Sequence, residues 1–285
     1  MILNDAPVNG QRTREDWRGV LRSRGIRPEK SMGQNFLTDP EVVSAIVDAA
    51  RIEAGAQVVE VGPGMGILTR DLLQSGARVL AVELDRDLAR FLRYDLREAD
   101  NLTLVEADAR YVDIHEWSEG QPWHLVANLP YSTGTVILRH FLGMASPPDS
   151  STVMVQREVA ERMAASAPDM SLLALAIQIL TEPELMFVVP SEVFDPPPKV
   201  DSAVIRLVRR PRPLLNVEDQ GRLFTIASIA FQQKRKTLAN SIANGTKRPK
   251  AEIEQALDVL GLDSGIRPQA VSLDDWCRIA QARLA

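Results

Sequence analysis

Four short stretches combine residue types that could act together on a nucleotide-like ligand. Glu60-Val61-Gly62-Pro63-Gly64-Met65-Gly66 closes an apolar run and opens a helical one. Glycines there allow a tight turn and let a ligand approach bare backbone. The spacing is G-x-G-x-G, not the G-x-G-x-x-G that cradles a dinucleotide pyrophosphate, and an acid stands two positions before the first glycine. Glu83 ends the next apolar run, Arg78-Val79-Leu80-Ala81-Val82. An acid about 20 residues past the first glycine, at a strand tip, can accept both hydroxyls of a ribose. Such an acid is expected to be exposed. Asp108, after the third run, can accept from an exocyclic amine such as that of adenine. Alone, each also reads as ordinary turn chemistry.

The fourth stretch, Asn128-Leu129-Pro130-Tyr131, carries the most information. An exocyclic aromatic amine is a poor nucleophile because its lone pair is delocalised into the ring. A side-chain amide oxygen and a backbone carbonyl can both accept from that NH2 group and favour a tetrahedral nitrogen. Pro130 fixes the turn that presents the Leu129 carbonyl. The Tyr131 ring offers a stacking face to a base swung out of its helix. No histidine–carboxylate pair accompanies these motifs, since His115, His124 and His140 stand away from them. Methylation of an amine needs no general base in principle, so the work would be positioning and polarisation.

The elements that must hold these residues alternate. Residues 41–50 have helical apolar spacing behind an Asp39 cap and Pro40. Strands are expected at 57–61, 78–82, 102–106, 124–127 and 152–156, with helices at 67–75, 86–98, 133–143 and from about 158. This rhythm indicates an α/β fold, a mostly parallel sheet with helices on both faces. Residues 184–189 and 203–208 bracket a proline-rich loop and read as a hairpin-like pair at the sheet edge. Beyond the proline-punctuated 209–213 only helical periodicities remain. Three segments are therefore expected: a basic lead at 1–26, a catalytic domain at 27–210, and a helical domain at 211–285.

With 285 residues, 45% of them hydrophobic and 25% charged, the chain has ordinary globular composition. Its single cysteine, Cys277, excludes an intrachain disulfide and a cysteine-based zinc cage. No apolar run approaches a membrane span and no leader is visible, so the expected location is the cytoplasm. A net charge of −5 argues mildly against nucleic acid, but the average conceals an asymmetry. Residues 199–250 hold twelve basic and three acidic side chains, a local +9 that leaves −14 on the rest. A second basic stretch, 12–30, has seven basic residues against three acids. Such local fields bind phosphates even on an acidic protein.

Together the motifs resemble those of the ribosomal RNA adenine N6,N6-dimethyltransferases. Three further stretches resemble the same family in the same order: Lys30-Ser31-Met32-Gly33-Gln34-Asn35-Phe36-Leu37, Asp195-Pro196-Pro197-Pro198-Lys199-Val200-Asp201-Ser202-Ala203-Val204, and Phe231-Gln232-Gln233-Lys234-Arg235-Lys236-Thr237-Leu238. The resemblance implies a Rossmann-like methyltransferase sheet with a small all-α C-terminal domain, and S-adenosylmethionine as cofactor. It implies that Asn35 and Leu37 cover the cofactor, largely through backbone, while Gly62 lines its methionine part, Glu83 its ribose and Asp108 its adenine. Asn128 would lie between cofactor and target amine, with Leu129 and Pro130 shaping that turn, and Phe194 would pack on the target adenine opposite Tyr131. Lys199, Lys234, Arg235 and Lys236, the last three on a basic helix, would contact RNA.

The implied substrate is a pair of adjacent adenosines near the end of small-subunit ribosomal RNA in an assembling particle; no oligomerisation stripe stands out in the sequence, so a monomer is expected. A large-subunit adenine methylase and a non-catalytic assembly or transcription factor are the alternatives. The triple-proline loop and the basic FQQKRKTL stretch favour the first; the intact motifs argue against the last. The chain departs from the pattern at 165–172, where a lysine and a tyrosine of the family are missing and the loop looks shortened.

Overall fold

The computed structural model describes residues 4, 5, 19, 35–233 and 235–283. Apart from residues 4, 5 and 19, the expected basic lead lies outside the described residues, as do the 30–34 part of the N-terminal motif and Lys234.

Two compact units divide the chain. The first comprises Met1–Ala160 and Glu184–Arg209; the second, Glu161–Pro183 and Arg210–Ala285. The first holds an eight-stranded sheet. Its strands are β1 (Asn4–Asp5), β3 (Gln57–Val61), β4 (Arg78–Glu83), β5 (Leu102–Glu106), β6 (Trp123–Asn128), β7 (Ser150–Gln156), β8 (Thr181–Val189) and β10 (Ser202–Arg209). The order is β1-β8-β10-β7-β6-β3-β4-β5. The pairs β3–β4, β4–β5, β3–β6 and β6–β7 are parallel, and β10 returns antiparallel to β7. Five buried residues in a row in β3 are what a strand covered on both faces requires. The proline-rich loop returns β10 between β8 and β7, so the bracketing strands are sheet neighbours and β10 is interior.

Helix α1 (Pro40–Ala50) begins where the Asp39 carboxylate accepts from the amides of Glu41 and Val42 at 3.0 and 3.4 Å. It buries Val42, Val43 and Ile46 in a core shared with Val58, Val79 and Val126. Helices α2 (Ile67–Gln74), α3 (Arg86–Asp95), α4 (His115–Ser118), α5 (Gly134–Leu142) and α6 (Arg157–Met163) follow the strands in turn.

One pairing has no periodicity to announce it. Phe36–Leu37 (β2) and Phe194–Asp195 (β9) form a separate antiparallel ribbon with Leu37 opposite Phe194. The amide and the hydroxyl of Thr38 both donate to the Val193 carbonyl at 2.9 Å, pinning the N-terminal motif to the proline-rich loop.

The second unit contains α7 (Leu172–Gln178), α8 (Val217–Gln232), α9 (Leu238–Thr246), α10 (Lys250–Val259) and α11 (Leu273–Gln281). An uninterrupted 27–210 domain is not what forms. Met170, Ala174, Leu175 and Ile179 pack with Leu223, Ile226, Leu238, Ile242 and Trp276 in the helical core. The buried Gln178 amide donates to the Met163 and Ala165 carbonyls, both at 2.8 Å, and Arg210 donates to the Gln178 carbonyl. Burial of apolar side chains between Met170 and Leu180 thus draws this segment into the helical unit. No helix among the described residues is long and apolar enough to cross a membrane.

Candidate functional site

The carboxyl ends of β3, β4, β5 and β6 open on one cavity of about 290 Å³ within the first unit. Ligands of open parallel sheets bind at this end. Asn35, Gly62, Glu83, Asp108, Asn128, Leu129, Pro130, Tyr131 and Phe194 all line it. Leu37 does not. Its side chain is buried in the core, and its backbone pairing with Phe194 holds the cavity's edge instead. Phe36 lines the cavity in its place.

The glycine loop adopts the left-handed region at Gly62, Gly64 and Gly66, with φ of +66°, +57° and +76°. At Gly66 a Cβ would meet Leu92 Cδ2 at 2.6 Å, so a side chain there would have to displace the buried Leu92 as well as adopt a left-handed φ. At Gly62 nothing lies within 4 Å of an added Cβ. That bare backbone facing the cavity is the approach a ligand needs.

Glu83 departs from expectation. It is buried, 6% exposed, and both its oxygens are engaged. Oε2 accepts from the Gly64 amide at 3.0 Å and Oε1 from the Asp85 amide at 2.9 Å. The carboxylate therefore ties the glycine loop to the tip of β4 while lining the cavity. Burial raises its pKa, opposed by the amides of Asp85 and Gly64. Asp108 is held differently. Arg110 folds back and donates through Nε to both carboxylate oxygens at 3.0 Å. That partner lowers the Asp108 pKa. Arg110, Leu84 and Leu88 also line the cavity, and no motif pointed to them.

The Asn128 turn is braced at both ends. The Leu129 amide donates to the Met154 carbonyl at 3.0 Å, and the Pro130 carbonyl accepts from Gly134 at 2.7 Å. The Asn128 side-chain amide has no hydrogen bond with any described residue and faces the cavity. The Tyr131 hydroxyl meets Ser202 Oγ at 2.5 Å, and Ser202 is fully buried in β10. Burial also raises the Tyr131 pKa. The hydroxyl is thus an anchor that sets the ring. Tyr131→Phe keeps the ring but leaves Ser202 unpaired, costing about 1–3 kcal/mol of stability. A Tyr131→Phe, Ser202→Ala double-mutant cycle is expected to recover most of that loss. Additive losses on chemical denaturation would show the two groups to be uncoupled.

Beneath the loop, Glu60 is 1% exposed, and its Oε2 has no partner among the described residues. Burial pushes its pKa up to about 8. A carboxyl whose folded pKa exceeds its unfolded value favours folding while it is protonated. That contribution is full below about 4.5 and is lost as pH rises through about 8. Glu60→Gln is expected to flatten the decline in thermal stability between those limits. An unchanged pH profile would assign the decline to other groups.

Lys199 is not among the residues that line this cavity. Lys199 is exposed in the proline-rich loop. Arg235 and Lys236 are exposed in the second unit, but α8 ends at Gln232, so they occupy the turn before α9 and not a helix. The Lys236 amide donates to the Gln233 carbonyl at 2.8 Å, closing that turn. The histidines bond elsewhere, His124 with Ser150 and His140 with the Val112 carbonyl.

The family model described as "Ribosomal RNA adenine dimethylase" matches residues 26–283. "Ribosomal RNA small subunit methyltransferase A" of Streptococcus pneumoniae (strain P1031) is 38% identical over 275 residues, 93% of this chain and 95% of that protein. Among solved structures, the 23S ribosomal RNA methyltransferase ErmE is 30% identical with a TM-score of 0.71, covering 87% of this chain and 99% of its own. A dimethyladenosine transferase from Plasmodium falciparum shares the fold at 23% identity, with a TM-score of 0.73 over 86% of this chain and 95% of its own. The chain belongs to the ribosomal RNA adenine dimethylase family.

Proposed function

We propose that this chain transfers methyl groups from S-adenosylmethionine to N6 of two adjacent adenosines near the 3′ end of small-subunit ribosomal RNA. It acts as a cytoplasmic monomer on an assembling particle. The observation that carries the reading is the cavity-facing Asn128 amide, unpaired among the described residues, on a braced turn beside Tyr131 and Phe194. The residues fit the cofactor: a bare backbone at Gly62, a carboxylate at the tip of β4 and a second carboxylate after β5.

When bound, S-adenosylmethionine supplies an electrophilic methyl group. Glu83 accepts from the ribose hydroxyls and Asp108 from the adenine amine. Tyr131 and Phe194 hold the faces of the target base. Asn128 Oδ1 and the Leu129 carbonyl accept the two N–H bonds of the target amine and orient its lone pair. The proton leaves to water. Lys199, Lys234, Arg235 and Lys236 neutralise RNA phosphates, the last three from the helical unit formed by 161–183 and 210–285.

A large-subunit target is the second reading, supported by the 30% identity to a 23S enzyme. The small-subunit reading is preferred because the relative named for that subunit is 38% identical over 93% of the chain. Labelled methyl transfer to undermethylated ribosomal particles, followed by mapping of the modified nucleotides, tests it. Label in two adjacent small-subunit adenosines supports it, and label confined to the large subunit overturns it.

A further inference from the structure

The outward face of α3 carries a feature that the cavity does not use. Arg86, Arg90 and Arg93 lie on it, and Arg97 follows in the closing turn. Spacings of four and three residues place Arg86, Arg90 and Arg93 within a sector of about 60° on a helix of 3.6 residues per turn. The opposite face buries Leu88, Ala89, Phe91 and Leu92 in the core, so the arginines crest the solvent side. Those three extend over about 10 Å at 1.5 Å per residue, and Arg97 is exposed just past the helix end.

Composition conceals this surface, because residues 85–100 hold five acids to four arginines. Position separates them. Asp87 falls to the flank of the stripe, and Asp95 lies on the opposite side of the helix, where Arg70 engages it. The arginines' own pairs are peripheral. Arg86 meets Glu106 at 2.9 Å, Arg90 meets Asp87 at 3.2 Å and Arg97 meets Glu98 at 3.2 Å. The side chains of Arg86 and Arg90 are 83% and 78% exposed. Exposed pairs of this kind hold little energy and exchange readily for another anion.

Aromatic rings accompany the charge. Tyr94 is exposed on the same helix with the Arg97 guanidinium 5.0 Å over its ring. Tyr111, just beyond β5, is exposed with Arg110 5.4 Å over its ring. Cations interleaved with exposed ring faces are what a single nucleic-acid strand requires. The stripe also starts at the cavity. Exposed Leu84 lines that cavity two residues before Arg86, and the Arg86–Glu106 pair ties the helix to the end of β5.

We propose that the outward face of α3 is an RNA-docking surface, along which the strand adjoining the target adenosine runs. Its phosphates meet Arg86, Arg90, Arg93 and Arg97, and one base stacks on Tyr94. This deepens the function proposed above and rests on RNA being the substrate.

The test is R90Q/R93Q/R97Q, which leaves Arg86 and the cavity intact, compared with the lysine triple R90K/R93K/R97K. Binding to undermethylated small-subunit particles is measured across a salt series, with S-adenosylmethionine affinity measured by calorimetry. The glutamine triple is expected to flatten the slope of log affinity against log salt by about 0.7–0.9 for each phosphate left unneutralised. Cofactor affinity is expected to hold, and the lysine triple to keep the wild-type slope. A glutamine triple with the full slope, or a lysine triple as impaired as the glutamine one, overturns the proposal. Wild-type protein that neither binds nor methylates the particles overturns the substrate reading itself, and the surface falls with it.

Discussion

Replacing Asn128 with alanine is expected to slow methyl transfer by roughly 10²–10³, the usual cost of one preorganised electrostatic contact. The effect falls on the transition state. The amide oxygen matters most as the amine nitrogen rehybridises and gains positive charge, so its loss lowers the rate far more than ground-state binding. The fold is expected to survive, because the braces of the turn are backbone bonds of Leu129 and Pro130 that the substitution leaves in place. No hydrogen bond from the Asn128 side chain to a described residue disappears with it. The measurement is single-turnover transfer of labelled methyl to small-subunit particles lacking the modification, alongside particle binding. Near-normal rates would make the tetrapeptide a structural turn and return the chain to the binding-factor reading. A loss in particle binding as large as the loss in rate would show a role in docking, not polarisation.

The parts of the site legible in the sequence are those whose chemistry is local. The glycine loop, the acids after β4 and β5 and the Asn128 turn each sit where a strand ends, and the parallel sheet collects strand ends at one edge. Contacts between distant segments were not legible. Thr38 and Val193 are 155 positions apart, and neither Phe36–Leu37 nor Phe194–Asp195 is long enough to show a period of two. The burial of Glu83 was missed for a related reason. Strand-tip acids are ordinarily solvated, and only the fold of the glycine loop places the Gly64 amide over this one. Segment 161–183 follows β7 in sequence and reads as the next sheet helix, yet Ala174 and Leu175 match apolar faces that lie after residue 210. Arg235 and Lys236 read as helical because the basic run continues an apolar helical pattern; the chain turns after Gln232, and Thr237 caps the next helix.

The second large effect is expected at Glu83, and its burial changes what must be measured. Glu83→Ala removes the proposed acceptor for the ribose hydroxyls. Hydrogen bonds to a charged group contribute about 1.5–3 kcal/mol each, so losing two weakens S-adenosylmethionine by roughly 10²–10⁴. It also unties the Gly64 and Asp85 amides, which stability alone would register. The two consequences differ in their pH dependence. Burial raises the carboxyl's folded pKa above 4.5, so its contribution to stability is largest where it is protonated and is lost as pH rises through that raised value. Its contribution to ribose binding runs the other way, since the charged form is the stronger acceptor. Wild-type cofactor affinity is therefore expected to fall as pH drops through the Glu83 pKa, and that pH dependence is expected to vanish in Glu83→Ala. Calorimetry at several pH values, on protein shown folded by thermal unfolding, reads both. A folded Glu83→Ala with wild-type affinity would remove Glu83 from the ribose and leave it as the tether of the glycine loop.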